Sequence, residues 1–345
     1  MNREEIESLQ LFKTEEAYRE SPSLNYSTLK NIPDGPWCLV LESRKHSGGA
    51  LDVGNYVDKY FTDRENLELY FDRSKPKIEL NASLEALLQL FLMVGVYEPS
   101  IDDCVLKCRE NGIYGSLVDV EKLKAKFTSD FFEKLKRASL PSDKIELTSD
   151  EYDKALSAIE NIKSNPIAME IIEEHEEEIV IPQFKWEFEL ELEGSIKRKF
   201  RVMYDLLKFN FSKKKIYATD IKSGTKPAYK FAEQLIDFRY DIQGILYYVG
   251  LMALRKKYFP DWEKCDPQDF KFIYSPKKSN RECIIVPLSE KFIRDNSESI
   301  IYNGKAYDGI WKIFNDANWY IENQVFDKHR LLAENNGIVS IDKLI

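Results

Sequence analysis

Residues 179–222 carry three successive stretches in which apolar and polar side chains alternate: IVIPQFKWEFELELEG, SIKRKFRVMYDLLKF and KKKIYATDIKS. Neighbouring side chains on a strand point to opposite faces, so patterning of this length commits the segment to β-structure. Turns near Gly194 and Ser195 and at residues 210–215 predict that the three strands pair antiparallel. The rest of the chain must be arranged around that sheet.

Residues 1–62 hold a polar leader followed by short helices around YSTLKNI and DVGNYVDKYF. Residues 63–143 read as a helical insertion, with apolar residues at helical spacing in ASLEALLQLFLMVGV and VEKLKAKFTSDFFEKLKRA. Thr148-Ser149-Asp150-Glu151 is a helix start signal, opening TSDEYDKALSAIENI. Residues 230–258 predict one long amphipathic helix, 270–275 and 282–287 two further strands, and 291–345 a helical tail. The apolar run at 84–97 contains Glu and Gln and is too short to cross a bilayer. The N-terminal MNREEIESLQLF has no apolar core, so a cytoplasmic protein with no membrane partner is expected. Five cysteines without a tight framework fit a reducing compartment. The net charge of −9 argues against a wholly basic nucleic-acid coat, but leaves room for a local basic groove.

The third strand ends in an unusual way. Asp220 and Lys222 project to one side of it, with Ile221 between them facing inward, and Ser-Gly follows at once. The preceding strand brings Asp205, which antiparallel pairing can set beside Asp220. Two adjacent carboxylates repel each other, and one ammonium relieves this only in part. A hard divalent cation held by both carboxylates and a backbone carbonyl would relieve it better. A surface salt bridge at a strand end is the plainer reading of these three residues. Downstream, Gln243 and Tyr247 stand four apart, on one helical face.

The ordered set Asp205, Asp220-Ile221-Lys222 and Gln243-x-x-x-Tyr247 resembles the PD-(D/E)XK nucleases, and within them the RecB-type and phage RecE-like exonuclease branch. The strands QFKWEFELELEGSIKRKFRVMYD, the helix KIELTSDEYDKALSAIENIKSNPIAMEII and LNYSTLKNI fit the same pattern, over residues 24–62 and 144–290. The resemblance implies a restriction-endonuclease-like α/β core at 144–290: a central mixed sheet flanked by helices, interrupted by the helical insertion. It implies a Mg²⁺-dependent deoxyribonuclease, with Mn²⁺ able to substitute, that processes the ends of double-stranded DNA in phage-type recombination. Asp58, Asp205, Asp220 and the Ile221 carbonyl would bind metal, Lys222 would act on the attacking water, and Gln243 and Tyr247 would brace the site or meet the scissile strand. DNA is the implied partner, with a single-strand annealing protein and further copies of the chain beside it. A defence or repair endonuclease and a catalytically weak DNA-binding module are the alternatives.

One position departs from the family. Its members carry G-x-x-x-H on an early helix, whereas this chain has Gly54-Asn55-Tyr56-Val57-Asp58. Aspartate is itself a hard-cation ligand, and Gly54 would let that face approach the sheet. The alternative is that Asp58 faces solvent beside Lys59. The glycines at 49 and 54 have P-loop spacing, but Asn55 stands where the lysine is required. Cys38, Cys265 and Cys283 are too widely spread for an iron–sulfur cluster, and none is expected. Lys213-Lys214-Lys215 reads as a hairpin turn, while Lys226 and Lys230 are placed to hold a DNA backbone.

Overall fold

The alternating stretches form β1 (Glu178–Leu192), β2 (Ile196–Asn210) and β3 (Lys215–Gly224) in a computed structural model of the protein. The structure describes residues 2–40, 49–72, 77–138, 144–192 and 196–334, and the expected turn at Gly194 and Ser195 lies outside them. Two more strands, β4 (Phe270–Pro276) and β5 (Ile284–Pro287), complete a five-stranded sheet in the order β1-β2-β3-β4-β5. β1–β2, β2–β3 and β4–β5 are antiparallel, and β3–β4 is parallel. The sheet is therefore mixed, as expected. A parallel pair cannot be joined by a tight turn, and helices occupy the connection between β3 and β4.

The helices that accompany the sheet include α1 (Gly49–Thr62), α2 (Ser149–Lys163), α3 (Phe231–Asp237), α4 (Tyr240–Tyr258) and α5 (Ile310–Asn323). By its contacts the chain divides into two compact units. One is Met1–Arg64 with Lys154–Ile345, which contains the sheet, and the other is Glu65–Asp153.

In the first unit, Phe184, Trp186 and Phe188 of β1 and Phe200, Val202 and Tyr204 of β2 turn one face into a common core. From Leu206 to Asn210 consecutive residues of β2 are buried, because the strand there has neighbours on both edges and cover on both faces. α4 crosses this core closely. A Cβ built on Gly250 would come within 2.8 Å of the Tyr204 hydroxyl and 2.9 Å of the Phe188 ring. The expected single amphipathic helix over 230–258 is instead two. Arg239, with φ 58°, breaks it and then clamps the buried Asp241 through two hydrogen bonds of 3.1 and 3.0 Å. α4 is also buried nearly all round its first two turns rather than striped, with Ile242 and Leu246 fully enclosed. Residues 154–163 of α2 lie against β4, where Asn161 donates to the carbonyls of Pro276 and Lys278 at 3.0 and 2.9 Å.

The leader is less loose than its polarity suggests. Ile6 is fully buried, and Leu24 makes a β-bridge to Phe200 where β3 has not yet begun to pair with β2. The tail differs from the expected helical segment. Ser299–Tyr302 and Lys305–Asp308 form a hairpin ahead of α5, turned by Asn303 and Gly304 at φ 51° and 75°. Both turn residues lie in the left-handed region that Asn-Gly favours.

The second unit is helical. Ala82–Met93, Ile101–Glu110, Val120–Lys124 and Ser129–Ala138 enclose Leu87, Phe131 and Leu135, with Cys104 and Cys108 as small apolar side chains among them. The helix read at 84–97 stops at Met93, ahead of Gly95 at φ 69°. Thr148 and Glu151 cap each other's backbone N–H groups at 3.1 and 2.8 Å, the reciprocal box their spacing predicts. Among the described residues no helix is long and apolar enough to cross a membrane.

Candidate functional site

Asp205 and Asp220 stand one step beyond the ladder pair Leu206↔Thr219, opposite each other where β2 and β3 cease to pair. Asp205 accepts a hydrogen bond of 2.6 Å from the Ile221 N–H, so this carboxylate and the Ile221 peptide are tied together. Asp220 is buried. Gln243, reaching down from α4, donates to its Oδ1 at 2.6 Å. The Lys222 ammonium forms an ion pair with its Oδ2, off the line of a good hydrogen bond. Gly224 ends the strand in a tight place: a Cβ there would lie 2.5 Å from the Gln234 amide and 2.6 Å from the Tyr274 hydroxyl.

α1 runs against this strand end. A Cβ on Gly54 would sit 3.8 Å from Ser223 Oγ, which is ordinary contact, so alanine would fit and close approach does not by itself demand glycine. One turn on, Asp58 has a buried Oδ1 with no hydrogen-bond partner among the described residues. It does not simply face solvent.

The three carboxylates feel one another. Burial, then the charge of Asp220, pushes Asp58 up to about 6. Burial, then Asp58 and Asp220, lifts Asp205 well above the usual carboxylate range. Burial also raises Asp220, against the opposing pull of Lys222 and Gln243. Burial lowers Lys222, but Asp220, Tyr240 and Asp205 outweigh it and the net displacement is upward. Lys222, with Lys59 on the Asp58 side, thus faces three carboxylates, a cluster short of positive charge.

The remaining expected residues divide. Tyr247 packs between the rings of Tyr204 and Phe270, at centroid distances of 5.4 and 5.9 Å, and is buried. That suits bracing rather than contact with a strand. Lys226 is paired with Asp237 at 2.8 Å and Glu233 at 3.1 Å, and Lys230 with Glu233 at 3.5 Å, so both charges are already compensated. Lys213 and Lys214 turn the hairpin between β2 and β3. Residues not singled out in the sequence also border the site. Gln183, at φ 47°, falls between the ladder pairs Pro182↔Leu206 and Phe184↔Tyr204, facing Asp205, and accepts from Lys59 at 2.9 Å. The Tyr240 ring lies under Lys222 at 5.0 Å. Tyr240 stands three residues before Gln243, a spacing that puts both on one helical face. Gln183 has no comparable signal.

Among the described residues, no three His, Cys, Asp or Glu side chains are gathered into a ready metal cage. The donors nevertheless suit a hard divalent cation: they are carboxylate oxygens, and among the described residues Asp58 Oδ1 has no hydrogen-bond partner.

Gln243→Ala is expected to slow catalysis about tenfold or more, because Asp220 loses the donor that fixes it, and to cost roughly 1–3 kcal/mol of stability. Turnover and thermal unfolding measured on the same samples separate the two effects. A variant that melts early but turns over normally when folded would make Gln243 purely structural.

No family model matches the chain, and neither does any curated protein. The chain is similar to a crystal structure from Eubacterium rectale named "Putative exonuclease", at TM-score 0.42 and 13% identity, over 98% of this chain and 88% of that one. The likeness is too slight to bear on function, and the functional reading rests on the site.

Proposed function

We propose that the protein is a divalent-metal-dependent deoxyribonuclease that hydrolyses phosphodiester bonds at the ends of double-stranded DNA. One observation carries this reading. Asp58, Asp205, Asp220 and Lys222 converge where β2 and β3 stop pairing, with a carboxylate oxygen buried and unpartnered on Asp58. Buried polar atoms are mostly satisfied, and here the unpartnered oxygen coincides with a gathering of like charges.

Asp58, Asp205, Asp220 and the Ile221 carbonyl would hold Mg²⁺ or Mn²⁺. When bound, such an ion activates water and offsets charge on phosphate oxygens. Lys222 stays protonated under the influence of Asp220 and Asp205. It is therefore suited to orient the attacking water and to stabilise charge as it builds on the phosphorus-bound oxygens, rather than to remove a proton. Its partial burial makes that charge more effective than it would be in water. Gln243 fixes Asp220, so the ion pair has a defined direction. Duplex DNA as substrate, end processing in recombination, an annealing protein as partner and self-association follow the family resemblance.

Digestion of linear and covalently closed duplex DNA in Mg²⁺ tests the end-directed part of the reading. The linear form should be degraded and the closed circle spared. Equal attack on both would make the enzyme an endonuclease.

A further inference from the structure

The basic side chains around the cluster differ in what neutralises them. Lys222 has Asp220, Lys226 has Glu233 and Asp237, Lys230 has Glu233, Lys59 has Glu15, and Arg239 has Asp241. Among the described residues no carboxylate pairs with Lys30. This lysine follows the short helix Tyr26–Leu29 and is only partly exposed. Its ammonium lies over the Tyr26 ring, 5.2 Å from the centroid. The Tyr26 ring meets that of Tyr240 at 6.5 Å, and the Tyr240 ring carries Lys222 at 5.0 Å. Two ammonium groups are thus seated on two neighbouring rings.

The seat is fixed. The Tyr26 hydroxyl donates to the Phe238 carbonyl, at the helix break that Arg239 imposes. Burial, and then the charge of Lys222, lowers the pKa of Lys30. A half-buried cation beside a like charge is costly unless an anion joins it. Tyrosine faces offset part of this cost, but they leave the N–H donors of the ammonium unused.

The geometry points to Lys30 as a residue that holds a backbone phosphate of the strand being cut, beside the one that faces Lys222. This inference rests on the nuclease reading and deepens it. Lys30 is a binding residue, so it acts on affinity rather than on the chemical step. Lys226 and Lys230 share their charge with Glu233 and Asp237, which Lys30 does not.

The test compares wild type, Lys30→Gln and Lys30→Arg on a short end-labelled linear duplex. Glutamine keeps most of the stem over Tyr26, so folding should survive, and thermal unfolding checks this. Lys30→Gln should raise KM about tenfold with kcat within about threefold, and should flatten the plot of log affinity against log salt by about one. Lys30→Arg should restore both. A neutral methylphosphonate at the phosphate bound by Lys30 should abolish the difference between wild type and Lys30→Gln. Wild-type KM and salt slope in Lys30→Gln would overturn the inference and leave the nuclease reading standing, as would equal loss in both variants with lowered unfolding temperatures. A wild-type protein that neither binds nor cuts DNA would overturn the nuclease reading, and the role of Lys30 with it.

Discussion

Lys222→Ala is expected to lower the cleavage rate at least ~100-fold while leaving DNA affinity within about threefold. The ammonium is held against Asp220 and over the Tyr240 ring, so its position does not depend on bound substrate. A charge pre-placed in this way stabilises the transition state more than the ground state, and its removal falls on kcat. The substitution also strips a buried carboxylate of its counter-ion, which is destabilising when one partner of a buried pair is lost. Metal-free Lys222→Ala should therefore unfold earlier than wild type, and Mg²⁺ should recover part of the difference. Single-turnover cleavage at saturating enzyme, with affinity measured in parallel, separates the two effects. Near-normal single-turnover cleavage would remove Lys222 from the mechanism.

The second large effect belongs to Asp58. Its buried oxygen has no hydrogen-bond partner among the described residues, and its carboxyl holds a proton up to about 6, against an ordinary value of 3.8. Between those two values the folded state binds more protons than the unfolded state, so metal-free stability falls as pH rises through this window. Above it, the folded state carries the full cost of the buried charge. Asp58→Asn should reduce that slope, to which Asp205 and Asp220 also contribute, and make the metal-free protein more stable at pH 7.5, by a few kcal/mol at most. The same substitution, or Asp58→Ala, should raise the Mg²⁺ concentration for half-maximal cleavage by about tenfold, since one anionic oxygen donor is gone. Asp58→His should keep some activity, with its preference moved towards Mn²⁺ and softer ions. Unfolding curves in chelator from pH 4.5 to 8, together with metal-activation curves, test the pair of effects. A variant that reproduces wild type in both would leave Asp205 and Asp220 as the site's only carboxylates.

The sheet was legible because alternation over β1, β2 and β3 is long and the turn at 210–215 fixes the register. Once that register is set, Asp205 and Asp220 must face each other. That Gln243 and Tyr247 share a helix face was likewise readable from their spacing, whereas the hydrogen bond from Gln243 to Asp220 was not. The helix break was not, because Arg239 adopts a left-handed conformation without being glycine, held by Asp241 and the Asp308 carbonyl from a distant part of the chain. The hairpin at 299–308 did leave a mark, Asn303-Gly304 between Ile300-Ile301-Tyr302 and Lys305-Ala306-Tyr307, which the helical pattern after it obscured. The pairing of Lys226 with Asp237 spans a loop and a helix, and local spacing does not carry it. Tyr26 and Lys30 join the site only because the leader docks along β2 through Leu24, a contact between residues far apart in sequence.

The most direct test of the central claim is release of label from an end-labelled linear duplex by wild-type protein, with Mg²⁺ and with chelator, alongside Asp220→Asn. Progressive release in Mg²⁺, none in chelator and none from the variant is the expected result. Release undiminished by chelator, or an intact duplex in Mg²⁺ and Mn²⁺ from folded wild-type protein, would contradict the account.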